Sequence, residues 1–386
     1  MNRRRLLAAG AACCASALTH RGWAETTFDY EVPERLTRPE VASDEGGLWA
    51  MMEREERKLR RSPFVVSDAK LTTYLQTVAC RLGGEHCPDI RVHLVRTPVF
   101  NASMAPNGLL QLGTGLLLRV ENEAQLAAIV GHEIGHYLQR HSVDRLRDIR
   151  AKSAFSQFLG LFGLAGAVGQ LAVLASAFAY SRDHEREADR IGAFLMYRAG
   201  YDVAEAARVW GNLLDELKAG QGQGPEWRNP LLATHPAPPE RREALARYAE
   251  AMPGGSDANE AFVLNTQRFL DDWLQDEVKR GQHAESLALL SRLMARQDAT
   301  SLMHLYRGDV YRLRGETGDL ELALADYRRA SQSTDPPAQA FRGIGLASRQ
   351  LGQQADAVEA LDRYLALAPN APDAALIRTY VAELRQ

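Results

Sequence analysis

Residues 131–141 read GHEIGHYLQRH, and the chemistry of the chain turns on whether they form an ordinary helix with three histidines or a metal site. On a helix, residues four apart share a face, so the imidazoles of His132 and His136 converge on one point. Glu133 lies about 100° round the helix from His132. That sets a carboxylate beside the open side of a bound zinc, where it can take a proton from water. Asn122, with Gln125 three residues on, is a capping-box type of start, and AQLAAIV supplies an apolar helical stripe. A helix is therefore expected over about 122–140.

A catalytic zinc needs three protein ligands and a position for water. Downstream, SRDHEREAD at 181–189 offers Glu185 and Glu187, which point in different directions on a helix. Glu185 stands four residues before Asp189, so these two share a face. One can bind the metal while the other accepts a hydrogen bond from a metal-bound imidazole and fixes its tautomer. Glu187 then faces elsewhere. His141 and His184 have no fixed face toward the site and are read as structural or solvated.

Around this centre, residues 40–84 read as helical up to Gly83-Gly84. IRVHLVRTP alternates as a half-buried strand does, and FNASMAPNGLLQLGTGLL reads as two extended segments around a Pro106-Asn107-Gly108 turn. Residues 153–181 carry no charged side chain. One membrane crossing there would part the two histidines from a later ligand, and two crossings need about 40 residues. The segment is read as packed helices roofing the site, ahead of a hairpin dipping into one membrane leaflet. Residues 251–260, AMPGGSDANE, read as a linker. Beyond it GQHAESLALLSRL, GDLELALADYRRA and GQQADAVEALDRYL resemble one another. Gly281 and Gly315 are 34 residues apart, the period of tetratricopeptide helix pairs.

The chain has 386 residues, 46% hydrophobic and 25% charged, enough for a sizeable core and a second module. Residues 1–24 combine a basic start, an apolar run from Leu6 to Leu18 and a Gly-Trp-Ala end, which reads as a signal peptide. Its removal deletes four arginines and no acids, so the net charge passes from -3 to -7. An acidic chain without a basic run or a glycine-rich phosphate loop argues against nucleic acid or nucleotide as a partner. Cys80 and Cys87 remain, and an oxidising compartment favours their pairing.

HEIGH, the Glu185-to-Asp189 segment and the His-Pro of LLATHPAPPERR together resemble the HtpX/BepA peptidase family, relatives of the CAAX prenyl proteases. The likeness covers about 45–245, and the leader and C-terminal repeats are most similar to periplasmic members. The family's HtpX-like members are membrane-embedded, and the lack of room for paired spans here departs from them. The resemblance implies an α+β fold: a mainly helical zincin-type metallopeptidase domain with a small β-sheet at 25–255, then an all-α tetratricopeptide-repeat domain at 256–386. It implies one Zn2+ per chain on His132, His136 and Glu185, with Glu133 as the base and Asp189 behind the ligands. It also singles out His235 and Arg241. His235 has two possible tasks, donor to the oxyanion or removable fourth zinc ligand. The expected partners are unfolded or misassembled envelope proteins in the periplasm, the outer-membrane assembly machinery through the repeats, and a membrane surface touched by 153–181. The substrate is expected to lie as an added strand near Phe100 to Ala105. A chaperone or assembly factor with a latent protease is the alternative.

Overall fold

Ser43 accepts a hydrogen bond from the Gly46 N–H and so starts α1 (Asp44–Leu59), in a computed structural model that describes residues 30–151, 180–220, 235, 239–296 and 300–386. The leader at 1–24 and all but the end of the 153–181 run lie outside the described residues. Leu48, Met52 and Leu59, spaced along one face of α1, pack against Val95, Leu109 and Leu146. The helical reading of 40–84 needs one correction. Ser62-Pro63 interrupts it, because proline lacks the N–H that a helix interior requires. Instead the Val66 N–H donates to Leu94 O and the Arg96 N–H to Phe64 O, around an isolated Val65–Val95 bridge.

Asp68 caps α2 (Ala69–Gly83), whose buried Leu71, Leu75, Val78, Ala79 and Leu82 keep the 3.6-residue period. A disulfide joins Cys80 near its end to Cys87 in the following 3-10 turn, as expected. Three short strands follow: β1 (Arg91–Val95), β2 (Ala102–Met104) and β3 (Leu109–Gly113). Their order is β1-β3-β2, with β1 parallel and β2 antiparallel to β3. The central strand is buried throughout. The Pro106-Asn107-Gly108 turn lies where the sequence put it, with Gly108 at φ 84°.

After α3 (Thr114–Arg119), Asn122 caps α4 (Glu123–Leu138), whose sixteen residues are all buried. The Asn122 side chain accepts from the Gln125 N–H, while Gln125 Oε1 accepts from Glu121 N–H, one residue earlier than a strict capping box. Arg140, at φ 56°, turns the chain into α5 (His141–Ala151). Then come α6 (Arg182–Arg198), α7 (Ala204–Ala219) and α8 (Pro239–Ala251).

The C-terminal part is helical: α9 (Asn259–Thr266), α10 (Leu270–Lys279), α11 (His283–Arg296), α12 (Ser301–Arg314), α13 (Asp319–Ser331), α14 (Ala338–Gln350), α15 (Gln354–Leu367) and α16 (Ala374–Leu384). The similar sequence segments fall on α11, α13 and α15; α13 packs on α12 and α15 on α14, whereas α11 packs on α12 and α7 more than on the preceding α10. Gly281, Gly315 and Gly352 adopt positive φ where the preceding helices end. No helix among the described residues is long and apolar enough to cross a membrane.

The stretch 251–260 behaves less like a linker than its composition suggests. Ser256 N–H donates to Gly200 O and Asp202 N–H to Ser256 O, and Asp257 O accepts from Ala124 N–H in the first turn of α4. Residues 33–386 form one compact unit. A buried ionic cluster adds to this. Arg119 donates to Glu216 of α7 at 2.8 Å and to Glu277 of α10 at 2.9 Å, while Arg292 of α11 reaches Glu216 and Glu121. Burial opposes the charge on Glu277, but Arg119 and Arg280 offset it and hold the carboxyl below its usual range.

Arg119→Met leaves two buried carboxylates short of a cation and should lower the unfolding free energy by about 3–5 kcal/mol in urea titrations. The linkage has a definite sign. Because the folded value of Glu277 is depressed, its contribution is complete above the unfolded glutamate value near 4.3. It is lost as pH falls through the folded value, so Glu277→Gln should flatten the acid limb of a melting-temperature profile.

Candidate metal centre

Three glycines bring α4 and α6 together. A Cβ on Gly192 of α6 would stand 2.9 Å from the His132 nitrogen, and one on Gly135 of α4 would stand 3.0 Å from Ala188 O. Gly131 meets the Gly192 carbonyl in the same way, at 3.2 Å. Bare backbone on both sides lets α4 and α6 approach closely. The side chains of His132 and His136 on one helix and Glu185 on the other then face a common point.

His235 completes the group, and its donor atom and those of His132, His136 and Glu185 lie within 4.8 Å of one another, all four residues buried. The separations are 3.1 Å between the two Nε2 atoms of α4, and 3.5 and 3.4 Å from these to the Glu185 oxygens. From His235 Nδ1 the distances are 3.2 Å to His132 Nε2 and 3.0 Å to Glu185 Oε1. A tetrahedron of ligands around zinc, with bonds of about 2.0–2.1 Å, has edges of roughly 3.3 Å. Three imidazoles and a carboxylate at this spacing fit that ion in chemistry and in size.

The surrounding groups fix the donors. Asp189 Oδ1 lies 2.9 Å from His132 Nδ1, so the carboxylate accepts the ring proton and leaves Nε2 free as a ligand. Arg241 grips Asp189 through Nε and Nη2 at 2.7 and 2.6 Å and places Nη1 2.8 Å from Glu185 Oε2. Its guanidinium lies 4.1 Å over the Trp210 ring. Glu133 is buried, and its Oε1 has no hydrogen-bond partner among the described residues; His235 Nε2 is 3.5 Å away.

Electrostatics follow from burial and pairing. Burial pushes His136 well below the usual histidine range, so it is neutral and fit to bind metal. For Glu185, burial opposes the charge, yet His235, His136 and His132 outweigh it and hold the carboxyl well below its usual range. Asp189 is likewise held low against burial, by Arg241 and His132. His235 moves the other way: burial opposes its proton, but Glu185 and Glu133 raise its value above the ordinary one.

The structure brings together every residue that the sequence assigned to the centre: His132, Glu133, His136, Glu185, Asp189, His235 and Arg241. Of the two readings of His141, structural or solvated, it supports the first and adds a contact with the centre. That side chain is buried with Nδ1 2.8 Å from His136 Nδ1, and its Nε2 is 3.3 Å from Glu187 Oε2. The reason is the left-handed Arg140, which folds the chain back beneath α4 and cannot be read from helical spacing. His184 stacks on the His141 ring at 4.2 Å. Sequence reasoning also missed Tyr180, stacked on His136 at 3.8 Å with its hydroxyl 2.8 Å from Ser142 Oγ, and Trp210 under Arg241. Neither belongs to a spaced motif.

Comparison with known proteins agrees with this geometry. The family described as Peptidase family M48 matches residues 66–249. The chain is 27% identical over 262 residues to the Beta-barrel assembly-enhancing protease of Escherichia coli (strain K12), covering 59% of this chain and 52% of that protein. It is 29% identical over 206 residues to the mitochondrial metalloendopeptidase OMA1 of Homo sapiens, covering 47% of this chain and 38% of that one. A Bos taurus metalloendopeptidase of the same name is 33% identical over 213 residues, covering 48% and 39%. The chain thus spans about half the length of the first of these relatives and less of the other two.

The α4–α6 contact is directly testable. Gly192→Val must drive side-chain atoms into the His132 backbone, and overpacking of this kind costs about 1–3 kcal/mol. Metal analysis of the folded variant should show well under the about one zinc per chain expected of the unmodified protein.

Proposed function

We propose, from the premise that residues 66–249 are a peptidase family M48 domain, that the protein is a zinc-dependent metalloendopeptidase of the bacterial cell envelope. The observation that carries the reading is the buried group of His132, His136, Glu185 and His235 with Glu133 beside it. Zinc held by His132, His136 and Glu185 would supply Lewis acidity, both to a peptide carbonyl and to the water that attacks it. Glu133 is placed to take a proton from that water and to return it to the leaving amine. Asp189 keeps the His132 proton on Nδ1, and Arg241 keeps Asp189 ionised. Glu133→Gln should lower peptide hydrolysis by about 100- to 10,000-fold while zinc content stays unchanged. Retained hydrolysis by that variant rules out Glu133 as the base.

A membrane surface is proposed as a further partner, on the sequence pattern of residues 153–181, which lie outside the described residues for all but their end. The substrate is proposed to lie along β2, an outer strand of the sheet, as an added extended strand. Main-chain recognition of this kind suits unfolded or misassembled chains. Export to the periplasm is supported by the pattern of residues 1–24 and by the Cys80–Cys87 disulfide, which belongs to an oxidising compartment. The helices from α10 onward are taken as tetratricopeptide repeats that bind the substrate or outer-membrane assembly partners. In name, the Escherichia coli relative is an assembly-enhancing protease.

A second reading, an assembly factor whose protease is mostly latent, is favoured by one observation. His235 stands where a fourth ligand would stand, and a zinc with four protein donors has no position left for water. Of the two tasks open to His235, this geometry supports the removable ligand. His235→Ala should then raise hydrolysis of an unfolded substrate such as casein several-fold. An oxyanion donor would instead lose about 100- to 1,000-fold. If assembly is the principal task, Glu133→Gln should still restore outer-membrane protein levels in cells lacking the protein.

A further inference from the structure

His132 and His136 are both metal ligands in the reading above, but the groups behind them differ. Behind His132 stands a carboxylate, Asp189, locked by Arg241. Behind His136 stands another imidazole: His141 Nδ1 is 2.8 Å from His136 Nδ1, and on its far side His141 Nε2 is 3.3 Å from Glu187 Oε2. Two ring nitrogens at hydrogen-bond distance share one proton, donated by one and accepted by the other. If His136 gives its Nε2 lone pair to a metal, its neutral ring carries the proton on Nδ1. His141 must then accept at Nδ1 and carry its own proton on Nε2, the atom that faces Glu187. One arrangement satisfies every atom in the row.

We propose that His141 and Glu187 form a positioning relay for the metal ligand His136, fixing its tautomer and ring direction through an intervening imidazole. The packing supports a fixed row. Tyr180 stacks on His136 at 3.8 Å and 16°, which holds the ring plane, and His184 stacks on His141 at 4.2 Å and 19°. Ring planes set by stacking leave the direction within each plane to the hydrogen bond. His141 is buried, whereas the Glu187 side chain is 40% exposed, so the row runs from the metal centre to the surface. A neutral imidazole also withdraws less proton density from its partner than a carboxylate does. The two ligands of α4 therefore differ in basicity, His132 being the stronger donor.

The inference rests on the metal-site reading, and the two fail separately. In long-range proton–nitrogen spectra of the zinc-loaded full chain, His141 should carry its proton on Nε2 and none on Nδ1. A chelator competition should show His141→Leu binding zinc about 10- to 100-fold more weakly than the unmodified chain. His141→Asn, whose Oδ1 replaces the Nδ1 acceptor, should recover most of that loss, and Glu187→Gln should stay within a few-fold. A proton on His141 Nδ1, or a zinc affinity within twofold in a folded His141→Leu, overturns the relay while leaving the site intact. An unmodified chain that takes up no zinc overturns the site and the relay with it.

Discussion

The contact between α4 and α6 at Gly131, Gly135 and Gly192 is the constraint on which the rest depends. Side chains at these positions would part the helices by the width of a methyl group or more. His132 and His136 would then face Glu185 across a gap that no single ion bridges. The convergence of these side chains thus comes from two backbones that touch. The ligands alone, on helices a few ångströms farther apart, would be three ordinary polar residues in a core.

Burying so many charges has to be offset within the site, and the pairing scheme does this in part. Asp189, Glu185 and Arg241 neutralise one another in part, with the indole of Trp210 beneath the guanidinium. The centre is therefore costly to assemble piecemeal and stable only as a set. Glu133 stands apart, with an oxygen that has no hydrogen-bond partner among the described residues. A buried carboxylate oxygen without a hydrogen-bond partner is free to accept a proton.

The centre was legible in the sequence wherever helical geometry carries the signal. His132 with His136, and Glu185 with Asp189, are spaced four apart, and spacing on a regular helix translates directly into direction. The strands and the Pro106-Asn107-Gly108 turn were readable, because alternation and turn chemistry are local, but the second extended segment ends at Gly113, where Thr114–Arg119 turns helical instead of staying extended to Leu117. His235 and Arg241 came only from the family likeness, since long-range convergence leaves no periodic trace. The direction of His141 toward the site was not legible, because one left-handed residue, Arg140, separates two helices and resets the direction of everything after it. Pro63 was overlooked in a run of helix-forming residues, and the stretch 251–260 has a linker's composition but finds backbone partners on Gly200, Asp202 and Ala124.

Those last partners have a mechanical meaning. The carbonyl of Asp257 receives the Ala124 N–H at the opening turn of the helix that carries both histidine ligands, and Arg119 clamps α7 to α10 nearby. A joint held only by the chain itself would let the C-terminal helices shift alone. Here backbone and ionic contacts cross it, so a displacement of those helices is passed to the root of the helix that carries His132 and His136.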